Sequence, residues 1–396
     1  MKSISRIASA IQPSATLAIS SLSQEMKASG IDVVGFGAGE PDFPTPEHIK
    51  QAGIDAITQN KSHYTASSGI LPLREAICGY LDSAFGLSYA PKQICVSSGA
   101  KHAIYIALQT ILDPGDEVIL PAPYWVTYAE AIRMCGAVPV IVETTEEQRF
   151  KMSAQMLSAA ITEKTKCVIL NNPSNPTGML YDEAELRALA DVIIKNDLYV
   201  MDDEIYATLV YDGSFVSLAA LGDEIREHTI LINGVSKTYA MTGWRIGFAA
   251  ANEKVAKAMS TYLSHSTGNP SNAAQYAALA AYSGDQSCAE TMKAEFDRRR
   301  KYFVSRVNAM EGVSCLMPDG AFYIFMNVKA LFGKTLCGER IDSGSDFARA
   351  LLKHGLVATV PGIAFGDDGY VRWSYATSME NIEKGLDRLE RFLKSE

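Results

Sequence analysis

The sequence predicts an α/β protein with a large domain, built on a mainly parallel but mixed sheet flanked by helices, and a smaller α+β domain built from both termini. From Pro46 onward, helical patterns alternate with short apolar runs that are typical of buried strands. After about residue 313 the pattern changes to shorter strands and helices. The 396 residues also exceed the roughly 250–300 residues at which a single core stops growing. We place the large domain at residues 46–290 and the small domain at residues 1–45 and 291–396.

The charge balance argues against a nucleic-acid partner. The chain has a net charge of −9, whereas affinity for phosphate backbones depends on clustered Lys and Arg. The densest basic run, residues 298–301, follows Glu295 and Asp297 in a helical pattern, and we expect it to form a solvated helix face. No apolar run reaches the roughly 20 residues of a membrane helix, so we expect no membrane partner.

The cysteines and histidines predict reduced thiols and no metal site. The seven cysteines are scattered, odd in number and never spaced as C-x-x-C, and the six histidines show no H-x-x-x-H spacing. The first 30 residues lack the apolar region of a secretory signal. These features together favour a cytoplasmic protein.

The N-terminal region predicts a short helix over residues 14–30, ended by Gly30, and then a glycine-rich loop over residues 35–44. The three alternating glycines of this loop do not match G-x-G-x-x-G, and prolines follow where a phosphate-binding helix would begin. We expect the bare backbone near Gly39 to approach a ligand closely.

Two strand ends in the first half of the large domain are candidate binding points. A strand at residues 95–97 enters a turn of small residues, and a helix starts at once near Ala100, so its unpaired N–H groups can hold an anion. A tight turn without a ligand is an equal alternative. Trp125 ends the next strand, where its indole can either stack on a flat ligand or pack in the core.

Asn175 and the acidic segment after the following strand point to the same crevice. Asn175 lies between Pro173 and Pro176, which hold its backbone rigidly. The strand at residues 198–201 leads into Asp203 and Tyr206, and the carboxyl ends of parallel strands line the ligand crevice of open α/β sheets. An acid there can pair with a protonated ring nitrogen, and the tyrosine can donate to a phenolate.

Ser236, Lys237 and Arg245 form a group that suits an aldehyde phosphate. A lysine amine condenses with an aldehyde as a Schiff base, while a hydroxyl and a planar guanidinium hold a phosphate dianion. Pyridoxal phosphate is usually held in this way. The alternative is a surface lysine and an arginine in an ordinary salt bridge.

The C-terminal part adds a candidate anion-binding arginine. We expect helices within residues 252–283 and over 286–310, then strands at 313–317, 321–327 and 370–375, with helices at 345–354 and 379–394. Arg372 falls in a half-buried strand and therefore needs an anionic partner, either a substrate carboxylate or an internal acid.

Taken in order, these segments resemble the class I aminotransferases of pyridoxal phosphate fold type I, and most of all the bacterial-type aspartate aminotransferase branch. The resemblance extends over essentially the whole chain. Its segments are Pro13-Ser14-Ala15-Thr16, Gly39-Glu40-Pro41-Asp42-Phe43, Ser98-Gly99-Ala100-Lys101, Pro123-Tyr124-Trp125, Asn175-Pro176-Thr177-Gly178, Asp203-Glu204-Ile205-Tyr206, Ser236-Lys237, Gly243-Trp244-Arg245-Ile246-Gly247 and Val371-Arg372.

The resemblance implies a pyridoxal phosphate cofactor and specific roles. Lys237 would be the Schiff-base lysine and proton carrier, with a pKa lowered by desolvation and by neighbouring arginines. Asp203 would pair with the ring nitrogen, Asn175 and Tyr206 would bond the phenolic oxygen, and Trp125 would stack on the ring. Lys237, Asp203 and Tyr206 would be the catalytic residues. The phosphate would be held by Gly99, Ala100, Lys101, Ser236 and Arg245, and by Tyr64 of a second subunit in a homodimer with shared active sites.

The resemblance also implies a dicarboxylic substrate. Arg372, with Gly39 and with Trp125 or Asn175, would hold the α-carboxylate, and Lys101, Ser14 and Thr16 would recognise a distal carboxylate. Ala100 replaces the usual glycine of the phosphate turn. Aspartate and glutamate are therefore the expected amino donors for transfer to a 2-oxo acid. The alternatives are a prephenate or aromatic aminotransferase, or a carbon–sulfur lyase on the same fold.

Overall fold

The computed structural model describes residues 2–395 of the chain. The helices are α1 (Arg6–Ala10), α2 (Ala15–Ala28), α3 (Glu47–Thr58), α4 (Leu71–Phe85), α5 (Ala100–Ile111), α6 (Thr127–Met134), α7 (Ala154–Ala160), α8 (Glu183–Lys195), α9 (Asp223–His228), α10 (Val235–Thr238), α11 (Glu253–Ser266), α12 (Asn272–Ser283), α13 (Ser287–Asn308), α14 (Gly344–Ala350) and α15 (Met379–Leu393). The strands are β1 (Val34–Gly35), β2 (Ile94–Ser97), β3 (Glu117–Ala122), β4 (Val138–Glu143), β5 (Thr165–Asn171), β6 (Tyr199–Asp203), β7 (Thr229–Gly234), β8 (Gly247–Ala250), β9 (Tyr323–Asn327), β10 (Thr335–Leu336), β11 (Glu339–Arg340), β12 (Val357–Ala358), β13 (Val360–Pro361) and β14 (Tyr370–Ser374).

A seven-stranded sheet forms the centre of the fold, with the order β2-β8-β7-β6-β5-β3-β4. Strands β3 to β7 pair in parallel, whereas β8 is antiparallel to both of its neighbours, β2 and β7. Strand β7 is buried along its whole length, because helices cover both faces of the sheet. The predicted α/β class with a mainly parallel, mixed sheet is therefore confirmed.

A smaller antiparallel sheet, β13-β14-β9, lies in the C-terminal third of the chain. Its strand β14 is buried throughout and packs in a core with Phe303 of α13 and Leu386 of α15. The N-terminal segment joins this region, because β1 pairs in parallel with β12 through Val34 and Val357. The proposed boundary at 290/291 falls within the first turn of α13, and the division into two domains stays a prediction.

The prediction of a strand at residues 313–317 is wrong. Only an isolated bridge between Ser314 and Asn327 forms there. The backbone N–H of Cys315 donates instead to the side-chain oxygen of Asn308, at 2.9 Å, and the side chain of Asn308 donates back to the Cys315 carbonyl. A side chain therefore satisfies the backbone groups that a neighbouring strand would otherwise pair.

Half of the basic run at residues 298–301 is solvated, as expected, since Arg298 and Lys301 are exposed, but Arg299 and Arg300 are not. Arg299 is 6% exposed and Arg300 is fully buried. Arg299 contacts Asp42 at 2.7 Å, and Arg300 contacts Asp212 at the same distance. Both acids are far from α13 in the sequence, so the helical pattern alone gave no sign of these partners.

The carboxyl edge of the central sheet gathers the predicted site. Trp125 follows β3, Asn175 follows β5, Asp203 ends β6 and Lys237 follows β7, while Arg245 precedes β8. Parallel strands place their carboxyl ends at one edge, which explains why residues so far apart in sequence meet. Within residues 2–395, no helix combines the length and apolar character needed to cross a bilayer.

Candidate active site

A cavity of about 490 Å³ opens at this edge and contains most of the predicted site residues. Those that line it are Ser14, Thr16, Gly39, Ala100, Lys101, Trp125, Asn175, Asp203, Tyr206, Ser236, Lys237, Arg245 and Arg372. Gly99 lies behind Ala100 as the residue before α5. Tyr64 is outside the cavity and 97% exposed. An adjoining cavity of about 900 Å³ shares Ser14, Lys101 and Arg245 with the first.

Lys237 presents its amine to the cavity from the short helix α10, directly after β7. Its Nζ donates to the Gly39 carbonyl at 2.5 Å, so the glycine-rich loop does approach the site, as predicted. The pKa of Lys237 is lowered to about 8, chiefly by burial; Arg245 and Arg372 also lower it, whereas Glu40 acts in the opposite direction. The amine is therefore far more often neutral near physiological pH than an ordinary lysine.

Asp203 ends β6 with its carboxyl buried beside the cavity. Its Oδ2 accepts a hydrogen bond from the Tyr128 hydroxyl at 2.7 Å, and its Oδ1 accepts from the Ile205 N–H at 3.2 Å. Burial raises the pKa of Asp203 to about 6, against the opposing effects of these hydrogen bonds and of Lys237. Asp203 is thus an ionisable group that can change its proton occupancy near neutral pH.

Tyr128 and Asn171 were missed by the sequence analysis, although both fix the acid. Tyr128 lies in the first turn of α6 and is 1% exposed. Asn171 ends β5, donates to the Asp203 carbonyl at 2.9 Å and accepts from the Asn175 N–H at 2.8 Å. The position of Tyr128 three residues after Trp125, on one helical face, was the only available signal.

Arg372 projects from β14 and is 1% exposed. Its Nη1 donates to Asn175 Oδ1 at 3.1 Å and its Nη2 donates to the Gly37 carbonyl at 2.7 Å, but its Nε has no partner. No Asp or Glu within residues 2–395 forms an ion pair with it, so the alternative of an internal acid is not observed. Burial lowers the pKa of Arg372. A buried guanidinium without a counter-ion is suited to bind an anionic ligand.

A third missed residue, Tyr323 of β9, also lines the cavity. Its hydroxyl lies 2.8 Å from that of Tyr206, and its ring lies under the Arg372 guanidinium, 4.5 Å from the ring centre. A Cβ at Gly39 would lie 2.7 Å from the Tyr323 hydroxyl, so only glycine lets the loop pass this close. Tyr206 and Tyr323 therefore form one hydroxyl pair facing the site.

The turn from β2 into α5 forms an anion cradle together with Arg245. Gly99 has a φ of +93°, and a Cβ there would lie 2.5 Å from Arg245 Nη2. The N–H groups of Ala100 and Lys101 open α5, where a helix leaves its first donors unpaired. Arg245 itself is held by a hydrogen bond from its Nη1 to the Thr242 carbonyl at 2.9 Å.

Lys101, Ser14 and Thr16 also line the cavity. Lys101 Nζ lies 5.0 Å from the centre of the Trp125 ring and forms no ion pair within the described part of the chain. Burial, and then Arg245, lower the pKa of Lys101. Ser14 Oγ and Thr16 Oγ1 are 3.0 Å apart. These three residues therefore offer the cavity one unpaired cation and two hydroxyls.

The residues present fit pyridoxal phosphate. That cofactor needs an amine for its aldehyde, an acid for its ring nitrogen and donors for its phosphate. The cavity offers the Lys237 amine, the Asp203 carboxyl and the cradle at Ala100 and Arg245, with Trp125 as a flat neighbour. The glycine positions described above leave the space that side chains would fill.

Comparison with known proteins agrees with this geometry. A family model described as aminotransferase class I and II matches residues 31–389. The aspartate aminotransferase of Bacillus subtilis (strain 168) is 46% identical over 395 residues, covering 100% of this chain and 99% of its own. A probable aspartate/prephenate aminotransferase of Rhizobium leguminosarum bv. phaseoli is 44% identical and covers 97% of each chain.

Two solved structures superpose along nearly the full length. The aspartate aminotransferase from Rhizobium meliloti has a TM-score of 0.96 at 39% identity and covers 100% of both chains. That from Thermus thermophilus with maleate has a TM-score of 0.94 at 40% identity, covering 99% of this chain and 100% of its own. The resemblance predicted from the motifs is confirmed. The chain belongs to the class I and II aminotransferases and is a pyridoxal-phosphate-dependent enzyme.

Proposed function

We propose that this enzyme moves an amino group between a dicarboxylic amino acid, aspartate or glutamate, and a 2-oxo acid. The observation that carries the proposal is the pair of unmatched cations in one cavity. Arg372 is buried without an acidic partner, and Lys101 is unpaired at another part of the same cavity. A substrate with two carboxylates would give each cation a counter-ion.

The cofactor-binding roles follow the chemistry of each side chain. When bound, pyridoxal phosphate supplies an electron-accepting ring that stabilises the negative charge left after loss of an α-proton. Lys237 would hold the cofactor aldehyde and later carry that proton, which its lowered pKa favours. Asp203 would hold the ring nitrogen, and Asn175 and Tyr206 the phenolic oxygen.

The remaining contacts divide between phosphate and substrate. Gly99, Ala100 and Lys101 would hold the phosphate through the helix terminus, together with Ser236 and Arg245. Trp125 would cover the ring. The substrate α-carboxylate would lie against Arg372 near Gly39 and Asn175, and the distal carboxylate would lie near Lys101, Ser14 and Thr16. The names of the relatives, which include aspartate aminotransferases, support a dicarboxylic substrate.

Steady-state kinetics with four amino acceptors test the substrate class. Oxaloacetate, 2-oxoglutarate, prephenate and phenylpyruvate are compared at equal enzyme concentration. We expect the highest kcat/KM with oxaloacetate and 2-oxoglutarate. Prephenate is the second candidate, because several relatives are named aspartate/prephenate aminotransferases and prephenate is also a dicarboxylate. A preference for phenylpyruvate would refute the dicarboxylate proposal, and pyruvate release from cystathionine would point to lyase chemistry.

Lys101→Ala tests the distal cation directly. Removal of this charge should lower kcat/KM for oxaloacetate at least about tenfold, while the value for phenylpyruvate falls much less, since a charged hydrogen bond contributes about 1.5–3 kcal/mol. Lys27→Ala, at an exposed position of α2, is the matched control and should change neither value. Equal losses for both acceptors in the Lys101 variant would assign Lys101 to phosphate binding alone.

We further propose a homodimer whose subunits share their active sites. Tyr64 has almost no contact with its own chain and would reach the phosphate of a second subunit. Sedimentation of the cofactor-loaded enzyme gives the oligomeric state, and Tyr64→Phe should weaken phosphate binding without altering that state.

We also propose a division into a large domain at residues 46–290 and a small domain at residues 1–45 and 291–396. The proposed location is the cytoplasm.

A further inference from the structure

Three consecutive acids, Asp202, Asp203 and Glu204, are all buried at the end of β6, with exposures of 1%, 2% and 0%. Side chains alternate along a strand, so Asp203 points to one face of the sheet, and Asp202 and Glu204 point to the other. Asp203 lines the cofactor cavity, whereas neither Asp202 nor Glu204 does. The proposed reaction therefore gives these two acids no direct task.

Asp202 and Glu204 lie two residues apart, so their carboxyls point to the same face of the sheet and interact with each other. The Ser217 hydroxyl donates to Glu204 Oε1, but Asp202 Oδ1 and Glu204 Oε2 find no donor. No Lys, Arg or His within the described residues forms an ion pair with either acid. The other titratable groups around the pair are the phenols of Tyr80, Tyr89, Tyr128 and Tyr181. Burial raises the pKa values of these phenols, and the charge of one or both acids raises them further.

Two ionised carboxylates cannot be stable side by side in such surroundings. Burial raises the pKa of Asp202 to about 7 and that of Glu204 well above its usual value, and the charge of Asp203 acts in the same direction on both. A proton on one carboxyl would supply the donor that the second carboxyl lacks. The same proton would remove the repulsion between them.

We propose that Asp202 and Glu204 form a pair that retains at least one shared proton at neutral pH and so places no more than one negative charge beside Asp203. The pair is a positioning group, because it acts on the cofactor only through Asp203. Its proton content is independent of the proposed function, whereas its effect on the reaction rests on the proposed role of Asp203.

Infrared spectroscopy of the cofactor-loaded enzyme at neutral pH tests the proton content. The wild type should show the C=O stretch of a protonated, buried carboxyl, which responds to exchange into D₂O. The double variant Asp202→Asn/Glu204→Gln should lose this band, because both carboxyls are gone. Asp197→Asn, at a side chain that is 99% exposed, is the control and should keep the band. A wild type without the band, or a band that persists in the double variant, would overturn the proposal.

Stability of the cofactor-free protein provides a second readout for variants that fold. An acid with a raised pKa in the folded state keeps a proton that the unfolded chain releases above about pH 4, so stability falls as the pH rises from about 4 towards 7. Between about pH 5 and about pH 7, Glu204→Gln should bind about one proton fewer on refolding than the wild type. Its free energy of unfolding should therefore fall less steeply with pH. An unchanged pH dependence in Glu204→Gln would contradict the retained proton.

The effect on Asp203 has its own signature. In Asp202→Asn, the new amide can donate to Glu204, which can then ionise and keep one negative charge near Asp203, whereas the double variant keeps none there. The acidic limb of kcat/KM against pH should therefore lie at least about half a pH unit higher in Asp202→Asn than in the double variant. Limbs at the same pH in the two variants would overturn the positioning role. Failure of the proposed function would look different, since turnover would be absent while the infrared band remained.

Discussion

The amine of Lys237 lies between two guanidinium groups and two carboxylates, and this balance decides its protonation. Arg245 and Arg372 lower its pKa, Glu40 and Asp203 raise it, and burial is the largest effect, which brings the value from 10.5 to about 8. Below this pKa the amine is protonated and cannot attack an aldehyde. The rate at which cofactor-free protein captures pyridoxal phosphate should therefore rise with pH and level off above about pH 8.

Stopped-flow absorbance across the pH range measures this profile. Arg372→Gln removes one positive charge, so the midpoint should shift to higher pH, and Lys237→Ala should show no visible absorption of lysine-bound cofactor at any pH. A wild-type midpoint near that of an ordinary lysine would show that burial does not act on this amine.

The same residues show what a sequence can reveal about a site. Lys237, Asp203 and Arg372 were predictable because their charges fall at the ends of, or inside, apolar strands. A charge at such a position requires an oppositely charged partner or a ligand. Tyr128 and Tyr323 were not, because tyrosines are common in cores and only packing brings their hydroxyls to Asp203 and Tyr206. Whether Arg372 would find an internal acid also depended on contacts that no local pattern encodes.

At the level of the element, the junction between β8 and α5 builds the anion cradle. Gly247 of β8 lies so close to the start of α5 that a Cβ there would be 2.2 Å from the Ala100 N and 2.5 Å from the Gly99 C. Both are backbone atoms, so the turn itself would have to move. Gly247→Ala should weaken binding of pyridoxal phosphate at least about fivefold, since overpacking costs about 1–3 kcal/mol.

Equilibrium titration of the cofactor-free protein with pyridoxal phosphate checks this expectation. Gly243→Ala is the matched control, because a Cβ at Gly243 meets nothing within 4 Å, and its affinity should be unchanged. An unaltered affinity in the Gly247 variant would mean that the cradle tolerates displacement.

Elements with a local cause were predicted well, and those that depend on distant contacts were not. The turn between β2 and α5 and the helix over residues 286–310 follow from short patterns of small or periodic apolar residues. The strand predicted at residues 313–317 does not form, because the Asn308 side chain makes the hydrogen bonds to the Cys315 backbone that a neighbouring strand would otherwise make. Similarly, no local pattern indicates the pairing of β1 with β12, because β12 lies at the far end of the chain.

Across the whole molecule, the buried Arg299 of α13 connects the glycine-rich loop to the rest of the fold. Arg299 contacts Asp42 at 2.7 Å and lies 5.4 Å from the centre of the Phe43 ring, while Gly39 of the same loop holds Lys237. Arg299→Met leaves Asp42 without its cation and should destabilise the folded chain by about 1.5 kcal/mol, the lower end for a charged hydrogen bond, because Asp42 is partly exposed to solvent. The displaced loop should also weaken the contact between Gly39 and Lys237, so the midpoint for cofactor capture should move.

Urea unfolding of the cofactor-free protein, followed by far-UV circular dichroism, measures the first effect, and the stopped-flow assay measures the second. Arg298→Met is the control, because Arg298 pairs only with Glu295 on the surface of the same helix and should contribute less than about 1 kcal/mol. The double variant Asp42→Asn/Arg299→Met removes both charges and should recover part of the lost stability. If Arg299→Met and Arg298→Met unfolded at the same urea concentration, the Arg299–Asp42 pair would not be what connects α13 to the loop.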